Sequence, residues 1–158
     1  MITPIDAALL DAVCAEAAAS PRRRKNRNFH PDDDFPAHRL LNAMQPDSYV
    51  APHRHLDAAK DETFVALRGM LALVIFDDAG AVTQVLRIGG DGGALGADIP
   101  HGTWHTVVAL APDSVFLEAK AGPFRPLAEA ERAPWAPAEG SPQVAAYFDA
   151  LKRRVGAS

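Results

Sequence analysis

Three histidines and one glutamate stand at spacings that suit a metal site. His53 and His55 are two positions apart, Glu62 follows them, and His105 lies in a later apolar run. In an extended segment, side chains two positions apart point to the same side, so the two imidazoles of the pair are expected on one face. Imidazole nitrogens and a carboxylate oxygen together suit one divalent transition metal, with Fe, Mn, Ni, Cu and Zn all compatible. On these residues alone, an exposed histidine pair without metal remains the alternative.

A row of polar side chains precedes this group and predicts a ligand-binding surface. If the basic run is extended, alternate residues share a face, which would carry Arg22, Arg24, Asn26, Asn28 and His30. Such donors suit an anionic or hydroxylated ligand, and we expect Arg24, Asn26 and Asn28 to contact it. A solvated basic arm is the alternative.

Further candidates lie on the predicted strands. Tyr49 shares the strand parity of the histidine pair, so we expect it to face the interior near the metal. Arg39 is included as a substrate-binding candidate because its strand could bring it to the pocket. Glu118 and Lys120 could also reach it, but parity alone does not place them.

Composition and charge exclude several classes of protein. The chain has 158 residues, a net charge of −4 and a single cysteine, Cys14. There is no basic excess for nucleic acid, no apolar run long enough for a bilayer, and no cysteine set for disulfides or a zinc finger. Asp6, Asp11 and Glu16 interrupt the first twenty residues, so no export signal is expected there. With the lone cysteine this favours the cytoplasm.

The elements that must position these residues are mainly strands. Residues 3–19 are predicted to form a helix with Thr3 as its cap, and a final helix is predicted to begin at Ser141-Pro142. Between them, short alternating or apolar runs separated by turn signals predict a sandwich or barrel. The predicted strands are Arg39–Gln45, Ser48–His55, Thr63–Leu67, Leu71–Phe76, Ala81–Ile88, Gly102–Leu110 and Val115–Lys120.

Two motifs resemble those of the cupin superfamily. His53-x-His55, then Glu62 and Gly69, resembles the first cupin motif, and Pro100–His105 resembles the second. The resemblance implies an all-β fold: a single cupin jelly-roll β-barrel with short N-terminal and C-terminal helices packed outside. It also implies that the two histidines, the glutamate and His105 share one metal. Asp57 and Asp61 are carboxylates that compete with the glutamate.

A narrower resemblance is to the WbuC family of cupin-fold metalloproteins, found beside bacterial lipopolysaccharide and O-antigen genes. It covers residues 20–30, Gln45–His55, Ile99–Val108, Glu118–Pro123 and Ala133–Gly140. The longer interval before the glutamate is normal in that family. We therefore predict one domain, with an N-terminal helix at 1–20, a cupin barrel at 21–122 and a C-terminal wrap and helix at 123–158.

Three functions from different classes fit these expectations. The first is an enzyme with isomerase- or epimerase-like chemistry on a sugar or sugar-derived acid, in which the metal chelates substrate oxygens. The second is an iron-dependent oxygenase. The third is a non-catalytic, metal-dependent module that binds a small carbohydrate. The expected partner is thus a small molecule, anionic or sugar-like, with no nucleic acid or membrane, and a homodimer is possible.

Overall fold

Eight strands form two antiparallel sheets in the computed structural model, which describes residues 1–156. The larger sheet has the strand order β1-β2-β8-β3-β6, and the smaller has the order β5-β4-β7. The strands are β1 (Arg24–Asn28), β2 (Ala37–Met44), β3 (Glu62–Arg68), β4 (Met70–Phe76), β5 (Val82–Gly89), β6 (Gly96–Ile99), β7 (Trp104–Ala109) and β8 (Ser114–Ala121).

One hydrophobic core lies between the two sheets. Phe64 and Phe116 of the larger sheet pack in the same cluster as Leu71, Leu73 and Val107 of the smaller one. Alternation along each strand sends one set of side chains into this core and the other set outward. The arrangement confirms the predicted cupin jelly roll, although within residues 1–156 the two sheets do not join into a closed barrel.

Helix α1 (Ala7–Ala19) covers the outer face of the larger sheet. Val13 and Ala17 of the helix pack on Leu41 and Val115 of the sheet. The predicted start at Thr3 is wrong, because Asp6 caps the helix by accepting a hydrogen bond from the Leu9 amide. An aspartate three residues before a free amide satisfies one of the unpaired donors of the first turn.

Helix α2 (Val144–Val155) and the segment before it cover the outer face of the smaller sheet. Phe148 and Leu151 of α2 pack with Trp104 and Tyr49 in a second core cluster. The preceding segment contains only a short 3-10 helix, Glu129–Glu131, as regular structure. The last two residues of the predicted C-terminal region, 157 and 158, lie outside the described residues.

The segment Ser48–His55 differs from the predicted strand. It makes two isolated bridges, both at His53, to His105 and to Arg132, rather than a ladder. Pro52 has no N–H to donate, so a continuous ladder cannot pass through it. The sequence analysis also missed the short strand β6, which contains Gly96 and lies at the edge of the larger sheet.

No helix within residues 1–156 is long and apolar enough to cross a bilayer.

Candidate metal centre

Backbone bridges hold the first histidine pair against β7, beside β3. The amide of His53 donates to the carbonyl of His105 at 3.0 Å, and the amide of His105 donates back at 2.9 Å. The carbonyl of His55 accepts from the Gly102 amide at 2.6 Å. Glu62 is the first residue of β3. These hydrogen bonds hold the segment Ser48–His55 beside β7 although it forms no strand.

The four predicted ligands come together at one point. A ligand atom from each of His53, His55 and Glu62 lies within 4.8 Å of the other two. His55 Nε2 lies 3.0 Å from Glu62 Oε1, and His105 Nε2 lies 3.0 Å from Glu62 Oε2. The rings of His53 and His105 are 4.6 Å apart between centroids. Three imidazoles therefore converge around one carboxylate.

The hydrogen bonds of the imidazole nitrogens orient two of these histidines in a way that suits metal binding. Nδ1 of His53 lies 3.1 Å from the Ala51 carbonyl, and Nδ1 of His105 lies 2.9 Å from the Thr103 carbonyl. A carbonyl only accepts, so Nδ1 of each ring carries a proton, and Nε2 is the nitrogen that can bind a metal when the ring is neutral. Backbone carbonyls orient metal-binding histidines in this way.

One buried oxygen of Glu62 also fits a bound cation. Oε2 of Glu62 accepts no directed hydrogen bond from the residues described, although His105 Nε2 is close to it. A buried carboxylate oxygen without a partner is costly, and a bound cation would satisfy it. The donor set and this oxygen both fit a divalent metal.

The charges of the site favour the forms that bind metal. Burial, reinforced by the positive charge that His105 can carry, lowers the pKa of His53 to about 3, so its imidazole is neutral at pH 7. Burial alone would raise the pKa of Glu62, but its interactions with His105, His55 and Lys120 outweigh burial and lower it. Glu62 is therefore ionised. Metal ligands must be deprotonated to bind, and both of these groups are.

A partly buried lysine, Lys120, lies next to the glutamate, with its side chain 17% exposed. Nζ of Lys120 lies 2.8 Å from Glu62 Oε1 and 2.8 Å from Glu118 Oε1. Glu118 in turn accepts a hydrogen bond from Asn42 Nδ2 at 2.8 Å. Burial raises the pKa of Glu118, against the opposing charge of Lys120. Strand parity had left Lys120 and Glu118 unplaced, and the structure turns both into the interior.

These groups lie in a cavity of about 840 Å³ between the sheets. That volume is within the range of small-molecule sites. Apolar walls surround the polar floor, as in most ligand pockets. The walls include Met44, Val50, Phe64, Val107, Phe116 and Leu127.

The predicted polar row is extended and only partly reaches this cavity. Arg24 and Asn26 line it, whereas Asn28 lies at a smaller neighbouring cavity. Arg24 Nη2 pairs with Glu139 at 2.7 Å, and Arg22 pairs with the same carboxylate at 2.8 Å. Both guanidinium groups are thus paired with a single carboxylate of the C-terminal segment, which leaves one positive charge uncompensated in this cluster and was not anticipated by the sequence analysis.

Two other predicted substrate-binding residues lie away from the cavity. Tyr49 is buried under α2, and its hydroxyl donates to the Pro137 carbonyl at 2.8 Å. It packs on the far side of the smaller sheet because its segment is not a strand, so the parity argument does not apply. Arg39 points outward, where it donates to the Phe29 carbonyl and lies over the ring of Phe35.

The two carboxylates that were alternatives to Glu62, Asp57 and Asp61, lie outside the histidine cluster. Asp61 pairs with the exposed His101 at 2.8 Å. Asp57 lines the cavity, but it belongs to a turn in which its carboxylate accepts from the Ala59 amide. Glu62 is the carboxylate that lies among the histidines.

Comparison with family models identifies one family. The profile of a family described as Domain of unknown function (DUF6016) matches residues 5–88, more than half of the chain. No curated protein matches the sequence.

Among solved structures, protein SO0799 from Shewanella oneidensis is similar, with a TM-score of 0.51 and 13% identity over 84% of each chain. KdgF from Halomonas sp. is similar with a TM-score of 0.50 and 20% identity, over 67% of this chain and 84% of its own. A cupin superfamily protein from Desulfitobacterium hafniense overlaps at a TM-score of 0.48 and 11% identity, over 62% of this chain and 76% of its own. At these identities the likeness to SO0799 and KdgF concerns the fold alone.

Proposed function

We propose that this chain, which belongs to the DUF6016 family, binds one divalent transition metal and uses it to act on an oxygen-rich small molecule. The ligands would be His53, His55, Glu62 and His105. The observation that supports this most strongly is the convergence of three imidazoles on a buried carboxylate at the floor of an 840 Å³ cavity.

The protein groups around the site have separate tasks in this proposal. The metal, when bound, supplies a Lewis acid that polarises substrate oxygens and acidifies neighbouring hydroxyl or C–H groups. The carbonyls of Ala51 and Thr103 hold two of the imidazoles in the binding tautomer. Lys120 holds the glutamate in place and balances its charge. Asn26, on the cavity wall, would orient substrate hydroxyls.

The proposal extends to the substrate class, the metabolic role, the cellular compartment and the oligomeric state. We favour a sugar or sugar-derived acid and isomerase- or epimerase-like chemistry. The resemblance to the WbuC family supports a role in cell-surface polysaccharide metabolism, and the single cysteine supports the cytoplasm. An exposed apolar group, Val65, Leu67 and Leu95, supports a homodimer.

Metal titration of two histidine variants tests the proposed ligand set. His105→Ala removes one ligand, and we expect metal affinity to fall at least about tenfold with the fold retained. His101→Ala is the matched control, because that exposed imidazole pairs with Asp61 outside the cluster. Equal metal affinity of wild type and His105→Ala would exclude His105 as a ligand.

Turnover assays separate the three functional classes. Oxygen consumption with candidate sugars would identify the oxygenase. Conversion of a sugar without oxygen consumption would identify the isomerase-like enzyme. Metal-dependent binding without turnover would identify the binding module.

A further inference from the structure

A second, smaller cavity of about 280 Å³ opens beside the metal centre at the β1–β2 end of the larger sheet. We call it the side cavity and define it by Asn28 of β1, His30, Asp33, and His38 and Leu40 of β2. Asn26, Glu118, Lys120 and Phe124 line both this cavity and the metal cavity. The two spaces are therefore neighbouring parts of one cleft.

Two buried histidines form one wall of the side cavity. The rings of His30 and His38 stack with centroids 3.9 Å apart and planes within 9° of parallel. His30 is 6% exposed and His38 is 4% exposed. The Arg39 amide donates to His30 Nδ1 at 3.2 Å. Within the part of the chain that the structure describes, Nε2 of His38 is buried without a hydrogen-bond partner.

The pairing of the strands sets the distance between this wall and the metal centre. His38 lies opposite Lys120 across β2 and β8, and Lys120 lies opposite Glu62 across β8 and β3. Two strand spacings separate His38 from Glu62, or roughly 10 Å. A ligand that contacts both must therefore be extended along this row.

The groups that line the side cavity suit hydroxyls better than anions. The amides of Asn26 and Asn28 each supply donors and an acceptor, and imidazoles supply one of each. Burial, together with the charge of His30, lowers the pKa of His38, so its ring is neutral. Nζ of Lys120 is already held by Glu62 and Glu118, so it adds no uncompensated positive charge.

We propose that the side cavity is a second subsite, which binds a neutral hydroxylated ring while another part of the same ligand reaches the metal centre. The inference rests on the proposed function for treating the cleft as a carbohydrate site. It adds that the natural ligand carries at least two units, and that the unit next to His38 and Asn28 is uncharged.

Imidazole NMR with neutral sugars tests the subsite. Glucose, galactose and mannose are added to metal-free, ¹⁵N-labelled protein at up to about 100 mM, and the His30 and His38 ring signals are followed. We expect a saturable shift with at least one sugar. Asn28→Trp, which fills the side cavity, should abolish it, and His38→Phe should weaken binding at least about fivefold. A cooperative thermal unfolding transition of His38→Phe checks that this variant still folds.

The controls separate this inference from the metal site. Arg27→Ala changes the neighbouring side chain on the opposite face of β1 and should leave the sugar shift unchanged. Asn28→Trp should still bind metal, and His105→Ala should still show the sugar shift. No shift with any of the three sugars, an unchanged shift in Asn28→Trp, or a response to sodium phosphate instead would each overturn the subsite. Loss of the metal site alone would overturn only the proposed function.

Discussion

Replacing Lys120 with methionine should strongly destabilise the metal-free protein. Nζ of Lys120 lies 2.8 Å from Glu62 and 2.8 Å from Glu118. The side chains of these carboxylates are only 3% and 10% exposed, so solvent can only partly replace the lysine. Removing one partner from a buried ionic cluster costs about 3–5 kcal/mol. That cost corresponds to a rise in the unfolding equilibrium constant of at least about a hundredfold.

Urea denaturation of metal-free protein measures this loss directly. Lys25→Met is the control, because Lys25 pairs with Glu16 at 3.5 Å and both side chains are half exposed. Such a pair contributes about 1 kcal/mol or less. Adding Glu118→Gln to Lys120→Met removes one of the two carboxylates left without the lysine. The double variant should regain about 1 kcal/mol or more of unfolding free energy. A loss below about 1 kcal/mol for Lys120→Met would refute the view that this cluster is buried and mutually compensated.

Two further predictions concern the C-terminal segment. Glu139→Gln should cost about 1 kcal/mol or less in unfolding free energy, because the carboxylate is 36% exposed. Hydrogen bonding from Arg22 lowers the pKa of Glu139 from 4.5 to about 2, so its contribution is present above pH 4.5 and is lost as the pH falls towards 2. The stability difference between wild type and this variant should shrink over that range, and a constant difference would contradict the assignment. Gly80→Ala should cost more than Gly92→Ala in thermal unfolding. Both glycines have positive φ, at a strain of about 1–2 kcal/mol for alanine, but only at Gly80 would the new Cβ meet Trp135, at 2.5 Å. Equal costs would show that the Trp135 contact is loose.

The clustering of the histidines with Glu62 was predictable from the sequence because short-range patterns mark these residues. Each motif is short: one is the pair His53-x-His55, and the other is the run Pro100–His105. Alternating and apolar runs likewise predicted six of the eight observed strands in outline, and Arg24–Asn28 followed from treating the basic run as extended.

The remaining features depend on contacts between distant residues. Tyr49 was misplaced because Pro52 interrupts the expected strand, so parity could not be extended back from the histidines. The pairing of Glu139 with Arg24 joins residues 115 positions apart, which no local pattern reports. From the sequence alone, Lys120 and Glu118 could equally be surface charges. The pairing of β8 with β2 and β3 places both side chains in the interior.

The metal content of the protein tests the central claim most directly. Protein purified without a histidine tag is analysed by elemental mass spectrometry, before and after dialysis at low pH. The account predicts about one equivalent of a divalent transition metal at neutral pH, and its release on acidification, because protonated imidazoles cannot bind metal. Less than about a tenth of an equivalent of any transition metal, with no uptake when Fe, Mn, Ni, Cu or Zn is supplied, would contradict it.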